Sequence, residues 1–392
     1  CIGSGTYRRL FQSHVCCANQ RQEIRTRLCG GADDVGAATF TRNPALTLQR
    51  SNLEEFLTRT WSQRGLAACM LLPVSVLFGG LSALRRAAYS TGLAKSMRLP
   101  VPVVVVGNIF VGGTGKTPLT IWLVQALRQA GYTPGVISRG YGVHNEVPQE
   151  VGAQSLAQEV GDEPLLIAYR AACPVMVGRD RVAVATALLA AHPEIDVLVS
   201  DDGLQHYRMQ RDVEIVLFDG RGAGNGWLLP AGPLREPTAR RRDFTVLNGA
   251  DHAPGLAPDV IRMQLVGNTA EKLNDRSQSS SLSSFAVTDG KRAPVILAAA
   301  GIGNPGRFFA LLRSAGLQFE EMALPDHYDF ADNPFVHVQA DVILITEKDA
   351  VKCRQNEGLR NDTRLWVVPV TAQLDGALAE KIVEKLRGRS IA

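Results

Sequence analysis

The chain has 392 residues, 45% of them hydrophobic and 20% charged, a composition that excludes intrinsic disorder and leaves room for two domains with cores of their own. Its net charge of +4 is uneven: residues 1–100 carry 13 Lys and Arg against 5 Asp and Glu, and the remainder carries 29 against 33. Seven dispersed cysteines without metal-ligand spacing argue against a disulfide framework and suit a reduced, cytosolic body.

The basic front end suits an anionic docking surface. It lacks interleaved aromatics, so a membrane lipid surface is expected and nucleic acid is not. Residues 1–50 show neither sustained apolar periodicity nor a signal-peptide core, and no Met precedes Met70. They read as a disordered or gene-model extension, with translation starting near Leu53. Residues 51–99 read as a membrane-associating segment. Leu53 to Trp61 suits a short helix capped by Ser51 or Asn52, with Glu54 and Glu55 in its first turn. Gly65 to Leu84 is 20 residues without a charge, the length of a membrane span. Pro73, Ser75, Gly79, Gly80 and Ser82 dilute it, and Arg85, Arg86, Lys95 and Arg98 follow. A helix lying in the cytoplasmic leaflet, a full span and a helix packed on the body all remain open.

The core of the fold starts at VPVVVVGNIFVGGTGKTPLTIW, residues 101–122. Val103 to Val106 is a buried strand by its β-branched run, and Gly107 ends it. Gly112, Gly113, Thr114, Gly115, Lys116 and Thr117 form a phosphate-binding loop that opens a helix running through Leu127. Glycines let backbone N–H groups turn inward, and the helix dipole adds positive charge. Lys116 would reach the β- and γ-phosphates of ATP and the Thr117 hydroxyl would ligate Mg²⁺. The pattern departs at Phe110, where a glycine is expected.

Further strands are expected at Gly131–Ser138, Pro174–Val177, Ile195–Ser200, Val213–Phe218 and Phe244–Leu247, with helices at Leu165–Arg170 and Arg179–Ala191. This alternation predicts an α/β fold: a P-loop nucleotide-binding core with a mostly parallel sheet at 100–266, preceded by the N-terminal membrane-associating helix. The Gly/Pro loop at 221–237 is too long for a bare connector. Polar residues 267–290 read as a linker. A smaller second α/β domain is expected at 291–392, with strands at Val295–Ala299, Val342–Ile345 and Leu365–Val370 and helices at Phe308–Ala315 and Ala377–Arg387. Gly301 to Gly306 resembles a dinucleotide fingerprint but is interrupted by Pro305, so a tight strand-to-helix turn is expected instead.

Asp201 and Asp202 end an apolar strand, where P-loop proteins hold Mg²⁺. Asp162, in Gly-Asp-Glu-Pro, reads locally as a helix N-cap. His327 reads locally as a loop histidine. In Arg235-Glu236 the Arg suits a phosphate and the Glu a metal, or the two form a surface pair. Arg139 is similar. Thr346, Lys348 and Asp349 follow a strand at its ligand-binding end, or form an exposed charged turn.

Together these motifs resemble one family, the tetraacyldisaccharide 4′-kinases or lipid A 4′-kinases. The matching pieces are RLPVPVVVVGNIFVGGTGKTP, SRGYG, VGDEP, DDGLQHYRM, GNGWLLPAGPLREP, AGIGNPGRFF, LPDHYDF and TEKDAVK, in the family's order. The stretch LLPVSVLFGGLSALRRAAYSTG resembles the family's N-terminal membrane helix. The resemblance implies a P-loop kinase core that transfers the ATP γ-phosphate to the 4′-hydroxyl of an acylated glucosamine disaccharide 1-phosphate, giving lipid IVA. It implies Asp162 as base with His327 as its partner, and metal ligation by Thr117, Asp201, Asp202 and Glu236. Arg139, Asn225 and Arg235 become substrate-binding candidates. The expected place is the cytoplasmic face of a Gram-negative inner membrane, without an obligate protein partner. A P-loop ATPase switch on the membrane, lacking a lipid acceptor, is the alternative.

Overall fold

In the computed structural model, which describes residues 56–140, 146–286, 292–374 and 376–388, the uncharged front stretch is one long helix. Leu66–Ser90 (α1) runs 25 residues, through Pro73, and buries only Ala68 and Ser75. Leu66, Met70, Val74, Leu77, Leu81 and Leu84 are exposed. One stripe is tied down. Ser75 Oγ donates to the Leu228 carbonyl at 2.8 Å and accepts from the Ala231 N–H at 2.8 Å. Gly79 lies so close that a Cβ there would stand 2.9 Å from Leu228. Among the described residues, α1 alone is long and apolar enough to cross a membrane. The shorter helix before it covers 56–62; its expected caps, like residues 1–50, lie outside the described residues.

The first sheet gathers Val103–Gly107 (β1), Pro134–Ser138 (β2), Gln149–Glu150 (β3), Val175–Val177 (β4), Val197–Asp201 (β5), Val213–Asp219 (β6), Phe244–Asn248 (β7) and Ile261–Val266 (β8). Its helices are Lys116–Gln129 (α2), Ala157–Val160 (α3), Asp162–Ala171 (α4) and Arg181–Ala191 (α5). A ninth strand, Thr371–Leu374, pairs antiparallel with β8. Across the sheet this strand is followed by β8, β7, β6, β1, β5, β2, β4 and β3. β1 pairs parallel with both β5 and β6, and Val106 faces Asp201 across the ladder. The loop after β1 therefore emerges beside the acidic end of β5, at the carboxyl edge where parallel sheets bind ligands.

The second sheet comprises Thr269–Lys272 (β9), Ser279–Ser281 (β10), Ile296–Ala300 (β11), Glu320–Ala323 (β12), Val342–Thr346 (β13) and Leu365–Val368 (β14). Their order is β10, β9, β14, β13, β11, β12, with helices Pro305–Ser314 (α6) and Glu347–Cys353 (α7). Two expectations change here. Residues 267–290 are not a bare linker: β9 pairs with β14, and Ala270 and Leu282 are buried in the second core. Nor does 291–392 stay in one domain. Thr371–Leu374 returns to the first sheet, and the closing helix Ala377–Arg387 follows it. That helix puts Leu378, Ile382 and Leu386 into the core around Leu119 and Leu123. Each such buried aliphatic contributes about 1.5–3 kcal/mol, which draws an amphipathic helix back to that face.

Candidate active site

The loop between β1 and α2 is built around glycine geometry. Gly112 and Gly115 have φ of 104° and 98°, the left-handed region. A Cβ on Gly115 would stand 2.5 Å from Asn248 Nδ2, whose amide donates to the Thr114 carbonyl at 2.8 Å. Gly115 is also the cap of α2, which has no acidic residue in its first turn. Its positive end is thus open to an anion. Asn108 is buried and fastens the loop, donating from Nδ2 to the carbonyls of Phe110 and Gly112 at 2.7 and 2.9 Å. Its Oδ1 accepts from Lys116 Nζ at 3.1 Å. Nothing in the sequence spacing singled Asn108 out; its motif neighbours drew the attention.

The two carboxylates at the end of β5 differ. Asp201 is buried and accepts from Thr120 Oγ1 at 3.3 Å and Ser138 Oγ at 3.2 Å. Burial first, and then the Glu163 carboxylate, push it above the usual carboxylate range. Asp202 sits at φ 51°, in the left-handed region, with Lys116 Nζ at 3.7 Å and Arg235 Nη1 at 3.6 Å. Its Oδ1 is buried and takes no hydrogen bond. Oxygen donors of this kind suit Mg²⁺, which needs only one or two carboxylates beside nucleotide phosphates. Among the described residues no set of three His, Cys, Asp or Glu is grouped for a metal.

Asp162 and His327 come from different sheets and meet. His327 Nδ1 lies 2.9 Å from Asp162 Oδ2, with Lys352 Nζ at 3.4 Å and Lys348 Nζ at 3.9 Å from the same oxygen. Among the described residues, Asp162 Oδ1 accepts from the Glu163 N–H at 2.9 Å and from no other group. Burial alone would raise the Asp162 carboxyl, but the hydrogen bond from His327 and the charge of Lys348 and Lys352 outweigh it and hold it well below the usual range. The hydrogen bond to Asp162 in turn raises His327. His327 has φ 58°, a non-glycine residue in the left-handed region, as active-site residues often are. Gly161, at φ 89°, lets the VGDEP turn press on Gly140: a Cβ there would stand 3.3 Å from the Gly140 backbone. Gly140 lies two residues past Ser138, which holds Asp201, and the carboxylate of Glu163, next to Asp162, acts on Asp201, so the pair lies toward the acidic end of β5.

The TEKDAVK segment is no exposed turn. Thr346 caps α7, accepting from the Asp349 N–H. Buried Asp349 accepts from the Gly301 N–H at 3.0 Å, and Gly301 accepts from the His327 N–H at 3.1 Å. Lys348 pairs with Glu163 at 3.0 Å. Lys348 and Lys352, one turn apart, thus flank the carboxylate that the sequence alone could not promote.

Two expected site residues are engaged elsewhere. Glu236 is buried, accepting from Gln205 Nε2 at 2.9 Å and Arg240 Nη1 at 3.3 Å, with Arg86 Nη1 at 3.5 Å. Cations and an amide surround it, while its buried Oε2 takes no hydrogen bond among the described residues. Asn225 donates to the carbonyls of Ala231 and Thr60 and accepts from the Trp227 N–H; it shapes the 221–237 loop instead of facing a substrate. Arg235, by contrast, is at the site through Asp202. Arg139 is exposed and adds positive charge around Arg181 and His206.

Those last two line a cavity of about 430 Å³ with Arg85, Arg179 and Arg208 and with the acidic Glu146 and Asp180, of which Asp180 pairs with Arg208. Arg181 is buried; its Nη1 donates to the Gly178 carbonyl at 2.7 Å, while Nε and Nη2 have no partner. Burial and then Arg181, Arg139 and Arg85 push His206 down to about 4. The buried Arg181 guanidinium is the group there that an anion would satisfy.

Comparison with known proteins identifies the family. The profile of the family described as "Tetraacyldisaccharide-1-P 4'-kinase" (LpxK) matches residues 67–387. A tetraacyldisaccharide 4'-kinase of Janthinobacterium sp. (strain Marseille) is 90% identical over 347 residues, which is 88% of this chain and 100% of the relative. One from Herminiimonas arsenicoxydans is 69% identical over 354 residues, 88% of this chain and 99% of the relative. A crystal structure of LpxK from Aquifex aeolicus in complex with ATP superposes with a TM-score of 0.68 at 28% identity, covering 82% of this chain and 100% of that one.

Proposed function

The chain belongs to the tetraacyldisaccharide-1-P 4'-kinase family, and from that premise we infer how its residues divide the reaction. It is an ATP-dependent lipid A 4′-kinase, moving the γ-phosphate of ATP to the 4′-hydroxyl of tetraacyldisaccharide 1-phosphate to give lipid IVA and ADP. The observation that carries the assignment of roles is the Asp162–His327 pair, 2.9 Å apart, joining two sheets on the side of the acidic end of β5.

ATP lies on the loop amides of Gly112 to Thr117, with Lys116 on the β- and γ-phosphates. Mg²⁺ bound through Thr117 and Asp202 would offset charge on the transferring group. The acceptor oxygen attacks the γ-phosphorus, the bond to the β,γ-bridging oxygen breaks, and the hydroxyl proton passes to Asp162 Oδ1. A carboxylate held so acidic is a weak base. In a loose transition state the hydroxyl becomes acidic only late, so placement matters more than basicity. His327, Lys348 and Lys352 fix Oδ2 and leave Oδ1 to the substrate. The ATPase-switch reading leaves this pair and the basic cavity without a use.

The cavity suits the acceptor's 1-phosphate. Its charge field reaches the nucleotide site, because Asp201 and Asp202 act on Arg181. Replacing Arg181 with Met is expected to raise the acceptor KM about 10–100-fold, the worth of a charged hydrogen bond or two, with the ATP KM unchanged. Steady-state assays with each substrate varied in turn, using labelled ATP and the disaccharide 1-phosphate in micelles, measure this and test the kinase reading itself.

The acceptor is acylated, so the site must work at a lipid surface. The bare face of α1 supports interfacial seating at the cytoplasmic leaflet. Its other face is fastened to the body at Ser75 and Gly79, which a full span would not allow.

A further inference from the structure

Asp219 ends β6, on the opposite flank of β1 from Asp202. Its buried carboxylate takes a fork from Arg221: Nε donates to Oδ1 at 3.0 Å and Nη2 to Oδ2 at 2.7 Å. Arg307, from α6 of the second sheet, approaches the same Oδ2 at 3.1 Å. Held this way, the Arg221 guanidinium lies on the phosphate loop. Nη2 also donates to the Gly113 carbonyl at 3.2 Å, and the guanidinium carbon stands 4.3 Å from the centre of the Phe110 ring. Nη1 makes none of these bonds. It lies 3.6 Å from the point where a side chain on Gly112 would begin.

We propose that Arg221 is a catalytic residue, an arginine supplied by the chain itself that donates from Nη1 to the transferring γ-phosphoryl group, with Asp219 and Phe110 as its positioning residues. The inference rests on the kinase reading of the site. Three observations converge on it. Lys116 and Arg235 approach from the Asp202 side; on the β6 side Arg307 pairs with Asp219, and Arg221 is the guanidinium that reaches the loop itself, at the Gly113 carbonyl. A guanidinium 40% exposed in its side chain is nonetheless fixed by a two-pronged bond to a buried carboxylate, the arrangement of a group whose direction matters. Finally, the departure from the P-loop pattern gains a reason: Phe110 offers the flat face on which a guanidinium stacks, and glycine would not. A planar donor fixed in advance stabilises charge developing on the phosphoryl oxygens without reorganising.

The test compares the full-length parental protein with Arg221→Ala, Arg221→Lys and Phe110→Leu, using ATP and micellar tetraacyldisaccharide 1-phosphate. Arg221→Ala is expected to lower kcat about 100–1000-fold with the ATP KM changed less than about threefold. Arg221→Lys, which keeps a charge for Asp219 but loses the fork, is expected to recover less than about a tenth of the activity. Phe110→Leu is expected to lose about 3–10-fold in kcat. ADP with aluminium fluoride and Mg²⁺ should bind the parental protein tightly and Arg221→Ala no better than ADP alone. Arg307 still pairs with Asp219 in these variants, and if Arg221→Ala fails to fold, Arg221→Lys carries the comparison. A kcat within about threefold of parental, a loss wholly in ATP KM, or full activity in Arg221→Lys overturns the proposal. Turnover of the parental protein tests the kinase reading separately.

Discussion

Asp162→Asn is expected to lower lipid phosphorylation about 100-fold or more while ATP binding stays within about threefold. The amide keeps the shape of the side chain and its contacts with His327 and the Glu163 N–H, but it accepts no proton. The proposed nucleotide contacts are those of the phosphate loop and Lys116, so nucleotide affinity measured by titration should hold. His327→Ala is expected to cost about as much, by releasing Oδ2 and letting the carboxylate turn toward Lys348 and Lys352. Near-full activity in Asp162→Asn would remove the base assignment. The pair also links the two sheets, and its pH dependence has a sign. Asp162 is lowered on folding, so its contribution is present above the ordinary carboxylate value of 3.8 and fades as pH falls below it. His327 is raised, so its contribution is full below the ordinary imidazole value of 6.5 and fades as pH rises through the folded value. The contact is therefore firmest between those limits. Unfolding curves of the parental protein and His327→Gln should diverge there and converge at alkaline pH.

Lys116→Ala is expected to lower kcat/KM for ATP about 100–1000-fold or more. The ammonium is braced by Asn108 Oδ1 at 3.1 Å and balances Asp202 at 3.7 Å. Removing it takes a cation from the phosphates and leaves the Asn108 oxygen unmatched beside a carboxylate that Arg235, at 3.6 Å, and the field of Arg181 then balance. Both kcat and the ATP KM should suffer, whereas acceptor KM should move little. Lys116→Arg should not rescue, because the loop admits a point charge and not a planar fork. ATP KM unchanged in Lys116→Ala would mean that the triphosphate sits elsewhere.

Local patterns exposed the phosphate loop, the acidic strand end and the closing helix, because each is written in consecutive residues. β-branched runs mark buried strands, and glycines mark the loop. What the sequence hid was partnership at a distance. Asp162 looked like an N-cap and His327 like a loop residue; 165 positions separate them, and no spacing rule spans that gap. Resemblance supplied the pairing, and the fold supplied the reason, with Asp349 fastening Gly301 and Gly301 fastening His327. The same distance blindness hid Arg86 beside Glu236. Serine-rich residues 277–284 masked β10 because an edge strand needs few apolar side chains. Asn108 and Arg221 were passed over because one polar residue beside a glycine loop has no pattern of its own.

The loop after β6 touches three things at once. Leu228 and Ala231 grip Ser75 of α1, Glu236 meets Arg86 at the end of that helix, and Arg235 leans on Asp202. A mooring line can be cut without altering the ship's engine, but here the anchor is bolted to the engine block. Shearing α1 from the body should therefore disturb turnover even of a freely dissolved short-chain acceptor, for which no bilayer has to be found.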